Sequence, residues 1–346
     1  MGKSPEQEAR RTGKIDVHHH IFAPFFMDAK LAHNRDIGWT TPPENLPWSL
    51  SKSLAMMDRL GIAGSVLSYP AGVPEKMGGE FDNEADEIAR KRGRDEVRKM
   101  NLYAKQLCDS KESQGRFGWF AALPDMRDVE GALLEIQYAL DVLRADGISL
   151  SSSYGEGGEG VYLGDARFDV VWRELDRRET VVFVHGTQTN SSKPYPHAWL
   201  GLPITEVPNE TFKAAAHLVV TGTKRRYPRV RIILAHFGGT AMALMPRVSV
   251  LAGQMGCPLT APEVIEDFAS FYVESALSAH ESTVRLVEDV VGRKRMLFGT
   301  DYPAVGLDAV QWYTENLERC YARDAEGLAT VTRQSALDLF PRFLNI

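Results

Sequence analysis

Short apolar, β-branched stretches alternate with helix-forming segments along almost the whole chain, and no other feature restricts the fold so tightly. The stretches are Ile15–Phe22, Ser65–Tyr69, Phe117–Leu123, Gly147–Ser151, Val181–His185, Val230–His236, Ser270–Ser275 and Met296–Gly299. Most are nearly continuous in apolar residues, the pattern of parallel strands buried on both faces. Between them, apolar residues recur at steps of three and four, as in Leu54/Met57/Leu60, Leu133/Ile136/Leu140/Leu143 and Phe168/Val171/Trp172/Leu175. Eight strand candidates in strict alternation with helices predict a closed (β/α)₈ barrel, a TIM barrel, rather than an open sheet. No linker rich in Pro, Gly and Ser divides the chain, and no internal repeat is visible. Residues 15–346 are therefore read as one barrel domain behind a polar tail, residues 1–14.

Two segments exceed a minimal barrel. Phe25–Leu50, with charges, prolines and two tryptophans, reads as a long loop after strand one. Gln188–Thr205, rich in Pro, Ser and aromatic residues, follows strand five. Both insertions follow the carboxyl ends of strands, the face on which barrels build active sites. Long loops in a compact domain are more often functional than idle.

Composition removes several function classes. The 346 residues carry 40 Lys and Arg against 46 Asp and Glu, a net charge of −6. That balance argues against the basic footprint of a nucleic-acid surface. No run approaches the ~18 apolar residues of a membrane span, and the first fourteen residues lack the apolar core of a secretory signal. Cys108, Cys257 and Cys320 stand far apart and read as free thiols of a reducing compartment. A cytoplasmic enzyme or binding protein is expected.

The histidines carry the chemistry. His18, His19 and His20 close strand one, His185 closes strand five, His236 closes strand six, and Asp301 stands two residues beyond strand eight. Residues two apart on a strand share a face, so His18 and His20 point inward while His19 points into the strand–helix layer. A His-x-His pair alone is a weak signal, His185 alone reads as a hydrogen-bonded core histidine, and Asp301 alone as a helix cap or Asx-turn. Together, at the carboxyl ends of strands one, five and eight, imidazole and carboxylate suit Zn²⁺ or a similar divalent ion.

These motifs, in this order, resemble the amidohydrolase-related, metal-dependent decarboxylases. That group holds 2-amino-3-carboxymuconate-6-semialdehyde decarboxylase and the salicylate-type, including 6-methylsalicylate, decarboxylases. IDVHHHIF, MMDRLGIAGSVLS, FVHG, YPRVRIILAHFGG, SFYVESAL and FGTDYP carry the resemblance over about the last 330 residues. It implies metal ligands at His18, His20, His185 and Asp301 and a catalytic histidine at His236. One divalent ion per chain follows, Zn²⁺ first and Mn²⁺ as the alternative, with no organic cofactor. It also implies a homodimer in which Arg247, in MPRVSVL, reaches the neighbouring subunit's substrate carboxylate; the plain alternative for Arg247 is a solvated helix charge.

Two departures qualify the likeness. PPENLPWSLSKSL places Pro43 where the muconate-semialdehyde enzyme has a substrate-binding arginine, a lost carboxylate clamp. Phe237-Gly238-Gly239 follows His236 where some benzoate decarboxylases have Gly-Glu, so the carboxylate that polarises the histidine in those relatives is not found beside it. The expected activity is nonoxidative decarboxylation of an ortho-hydroxy aromatic acid, such as 6-methylsalicylate, to CO₂ and a phenol. Asp301 would carry the proton and His236 would assist as acid/base. The alternative is hydrolysis of a lactone by water activated at the metal. Phe22, Phe25, Phe26, Trp39, Trp48, Tyr195, Trp199 and Tyr302 are mouth aromatics, of which two or three are expected to touch a ring-shaped ligand.

Overall fold

The first strand, β1 (Lys14–His20), starts the parallel sheet just where the polar tail ends. A computed structural model describes residues 12–72, 87–155, 160–187 and 196–346. β2 (Ile62–Ser68), β3 (Phe117–Ala122), β4 (Gly147–Ser151), β5 (Val181–His185), β6 (Arg231–Leu234), β7 (Tyr272–Glu274) and β8 (Met296–Leu297) follow in that spatial order. Each pairs in parallel with the strand before it. The circle closes between the two ends. The Val17 N–H donates to Phe298 O at 2.9 Å, the Asp301 N–H to His18 O at 2.8 Å, and the His20 N–H to Tyr302 O at 2.7 Å. The chain therefore forms the expected (β/α)₈ barrel.

Helices run back between the strands: α1 (Met27–Asp36) and α2 (Leu50–Leu60) after β1, then α3 (Glu87–Asp109), α4 (Val129–Gln137) and α5 (Asp169–Arg177). α6 (Val207–Val220) follows β5, α7 (Ala241–Gln254) and α8 (Ala261–Ala269) follow β6, α9 (Glu281–Val291) follows β7 and α10 (Leu307–Cys320) follows β8. Local chemistry sets their ends. Ser49 Oγ accepts the Lys52 N–H to start α2, and Gly61 in the left-handed region, φ 64°, ends it. Thr260 and Glu263 form a capping box at α8. Among the described residues, no helix is long and apolar enough to cross a membrane.

Phe25–Leu50 is not a loop. It carries 3₁₀ turns at Pro24–Phe26 and Pro43–Asn45 with α1 between them. MDAKLAHNRD has good helix formers but no apolar stripe, because the residues it buries are the polar Lys30 and Asn34. Hydrophobic periodicity therefore gives no sign of it. In the second insertion, residues 188–195 lie outside the described residues, and Leu202–Thr205 forms a single helical turn.

The barrel interior is packed. Ile15, Val17, Phe120, Val181, Phe183, Ile233 and Leu297 cluster with Phe340 and Phe343 from the carboxyl terminus. The Phe120 ring stacks on Phe183 at 5.4 Å and meets Phe340 edge-on at 5.7 Å. Strict alternation would send His18 to the side opposite Ile15 and Val17. A register irregularity between Asp16 and His19 resolves the conflict. A bulge of this kind re-aims side chains, so β1 contributes both to the interior and to the ligand pair above it.

Candidate active site and metal centre

His18 sits at the top of that interior, wholly buried, its ring 4.9 Å from Phe183. His18 Nε2 lies 3.1 Å from His20 Nε2 and 3.4 Å from Asp301 Oδ1. His20 Nε2 lies 3.0 Å from the same oxygen. The His185 ring is 5.1 Å from His18 and 5.1 Å from His236. One donor atom from each of His18, His20, His185 and Asp301 falls within 4.8 Å of the others. The four residues expected as ligands are thus brought together from the ends of β1, β5 and β8. His19 turns away, its Nε2 at 2.8 Å from Ser53 Oγ on α2 and its Nδ1 at 3.1 Å from Asp16.

The rings of His18, His185 and His236 are each held from behind by an acceptor. His18 Nδ1 meets Glu274 Oε1 at 2.7 Å, His185 Nδ1 meets Gly186 O at 2.9 Å, and His236 Nδ1 meets Ala276 O at 3.0 Å. A carbonyl only accepts, so His185 and His236 each carry an N–H on Nδ1 and turn Nε2 toward the pocket. The ionised form of Glu274 fixes His18 in the same way. Burial then holds the His18 and His185 imidazoles well below their ordinary values, reinforced at His185 by the neighbouring rings. Burial alone would raise Asp301, but the imidazoles of His18 and His20 override it and keep the carboxylate ionised. Asp301 Oδ1 is buried and receives no aligned hydrogen bond. Imidazole nitrogens from the ends of β1 and β5, converging on a buried carboxylate oxygen, make a donor set that suits a divalent cation.

Three features of this centre were not read from the sequence. Glu274, at the end of β7, also accepts the His236 and Ala276 backbone N–H groups, both at 2.6 Å. Burial pushes its carboxyl up to about 7, against the pull of His236. The carboxylate missing after His236 is therefore supplied from 38 residues further along the chain, though to the backbone of His236 and the ring of His18. Asp16 organises the opposite side, accepting from Thr300 Oγ1 at 2.7 Å and the Thr300 N–H at 3.1 Å. Lys30 and Tyr313 line the pocket as well. An isolated Glu ending a short apolar strand was the one available sign of Glu274.

The pocket above the centre encloses about 350 Å³ and is walled mainly by apolar groups, including Ile37, Trp39, Val207, Leu277, Val305 and Tyr313. His20, His185, His236 and Asp301 form its polar floor. His236 Nε2 lies 4.0 Å from Asp301 Oδ2. Backbone strain collects here: His236, Phe237, Leu277 and Asp301 adopt positive φ of 57°, 53°, 53° and 60°, a conformation that non-glycine residues hold when the surroundings enforce it. Of the expected mouth aromatics, Trp39 lines the pocket. Trp48 is buried with its N–H donating to Ser53 Oγ, Tyr302 packs by His19, and Trp199 is exposed. Tyr195 lies outside the described residues. Arg247 is exposed on α7 and is not among the residues lining this pocket.

A sequence profile of the amidohydrolase family matches residues 15–341. The chain belongs to the amidohydrolase family. Among its family relatives, 6-methylsalicylic acid decarboxylase of Penicillium expansum is 34% identical over 337 residues, covering 96% of this chain and 98% of that protein. A second 6-methylsalicylic acid decarboxylase, from Aspergillus aculeatus, is 33% identical over 336 residues, covering 95% and 96%. Dihydroxybenzoic acid decarboxylase of Polaromonas, solved with bound manganese and the inhibitor 2-nitroresorcinol, superposes with a TM-score of 0.77. It is 21% identical and covers 95% of this amidohydrolase chain and 97% of that one, a likeness of fold.

Proposed function

We propose that this protein is a metal-dependent carboxy-lyase that decarboxylates an ortho-hydroxy aromatic acid of the salicylate type, 6-methylsalicylate first among them. The observation that carries the reading is the convergence of three imidazoles and the buried Asp301 Oδ1 beneath an apolar pocket. The near full-length relatives named as decarboxylases support it. His18, His20, His185 and Asp301 would hold one divalent ion, Zn²⁺ on donor type, with Mn²⁺ the alternative found in the Polaromonas protein. When bound, such an ion polarises the oxygens of the hydroxy acid and holds the ring in place.

The chain's own groups move the proton. Ionised Asp301 takes the phenolic proton and delivers it to the ring carbon that bears the carboxylate. The bond to the carboxylate carbon then breaks, CO₂ leaves, and the electron pair restores the aromatic ring; solvent reprotonates the phenolate on release. His236 presents Nε2 toward Asp301 Oδ2 and exchanges protons with it, while Ala276 O prevents the ring from turning. The apolar walls keep water from the reacting carbon.

Assembly and location belong to the same reading: a cytoplasmic homodimer in which Arg247 enters the partner's pocket. The deciding assay incubates metal-replete protein with a panel of hydroxybenzoates and a panel of lactones, following CO₂, phenol and ring opening. Phenol and CO₂ from 6-methylsalicylate are expected. Ring opening of a lactone without decarboxylation would overturn the assignment.

A further inference from the structure

Lys30 is a buried cation that the metal centre does not use. It lies on α1 with 9% of its surface exposed, its Nζ 4.5 Å above the Phe22 ring. Its hydrogen bond, to Asn34 Oδ1, is 3.5 Å long, the outer limit of such a contact. Among the described residues no carboxylate lies within ion-pair distance of it. Burial lowers its pKa from 10.5 to about 8, with Asp301 acting the other way, so it stays protonated at neutral pH. A desolvated ammonium without a counter-ion is costly, and an arriving anion removes that cost.

The charges of the pocket favour the same conclusion. Lys30 is the one lysine or arginine among the described residues lining it. The released phenol, with no carboxylate, offers no such partner to Lys30.

We propose that Lys30 is the substrate's anion anchor: its ammonium pairs with a carboxylate oxygen of the aromatic acid, selecting the acid over neutral analogues and over the phenol product. This rests on the decarboxylase reading, and its test is a binding measurement that does not need turnover.

The probes are salicylate and its neutral isostere salicylamide, titrated calorimetrically into metal-replete wild-type, Lys30→Met and Lys30→Arg proteins. The quantity read is the ratio of the two dissociation constants. Loss of a charged hydrogen bond costs about 10- to 100-fold, so Lys30→Met should reduce the wild-type preference for salicylate at least about tenfold. Salicylamide binding should hold, and Lys30→Arg should retain the preference. An unchanged ratio overturns the anchor, as does equal loss of both ligands, which marks a structural role. Loss of the preference in a protein whose wild type decarboxylates no hydroxybenzoate leaves the anchor standing and removes the reaction. Normal decarboxylation with unaltered KM in Lys30→Met does the reverse.

Discussion

A Cβ added at Gly299 would lie 2.0 Å from Glu274 Oε2 and 2.9 Å from His18 Cβ. The glycine of the FGTDYP motif thus leaves the space through which Glu274 reaches His18. Carboxylates behind a metal-binding histidine raise its basicity and fix its tautomer, and their loss typically costs 10- to 100-fold in affinity or activity. Glu274→Gln should weaken metal binding by about that factor, read by competition with a chelator of known affinity. Unaltered retention would mean that the His18 contact is only a packing feature. His236→Ala should separate the two roles: metal content near that of the wild type, with most turnover lost, measured by elemental analysis beside phenol release. Near-normal turnover in metal-replete His236→Ala would make the residue structural. The residues proposed as ligands were legible because each sits at or just beyond the end of a strand. Glu274 was not, because its value depends on a contact 256 residues away in sequence. Lys30 was hidden for another reason: a lysine in a polar helix reads as a solvated charge.

At the scale of elements, the strands and most helices follow from periodicity, whereas α1 and the β1 irregularity do not. A helix that buries polar side chains toward a pocket has no apolar stripe to reveal it, and a bulge depends on pairing rather than composition. α7 carries Arg247, the residue that the proposed dimer assigns to the neighbouring subunit's pocket. Arg247 shares its exposed side with Val250, Leu251 and Met255, the last 88% exposed, an apolar surface suited to a self-complementary contact. If Arg247 serves the neighbouring subunit, mixing Arg247→Ala with His236→Ala chains should recover part of the activity, since one site of the heterodimer lacks neither residue. Verified heterodimers with no recovery would return Arg247 to its own subunit or to none. The turn after α6 offers a stability test. Lys224 is buried over Phe271, 5.3 Å from the ring centroid, and burial lowers it from 10.5 to about 8. Below pH 8 folded and unfolded chains are both protonated there, and the penalty is roughly 3 kcal/mol at about 1.36 kcal/mol per pH unit. Between about 8 and 10.5 the unfolded chain holds the proton that the native one lacks, so stability at this group rises with pH. Lys224→Met should therefore be the more stable at pH 7, by an amount that shrinks as pH climbs; denaturant titrations at pH 7 and 9.5 measure it, and a constant difference contradicts the assignment.

Considered whole, the barrel joins residues far apart in sequence at one point, and the ion would act as a clasp on β1, β5 and β8. Ligands that bind only the native state raise stability by mass action, about 2.7 kcal/mol at a hundredfold excess over Kd. Chelated protein should therefore melt at a lower temperature and recover on addition of Zn²⁺ or Mn²⁺; a melting curve indifferent to both would argue against a site at these four residues. The packed interior has a different consequence. Phe120, Phe183 and Phe340 close the barrel beneath His18, so nothing passes through its length. Substrate, CO₂ and phenol would therefore all pass on the side where the strands' carboxyl ends lie, and traffic there would run in turn: a lingering phenol would block the next acid, and a reversed reaction would have to admit both of its reactants from that side.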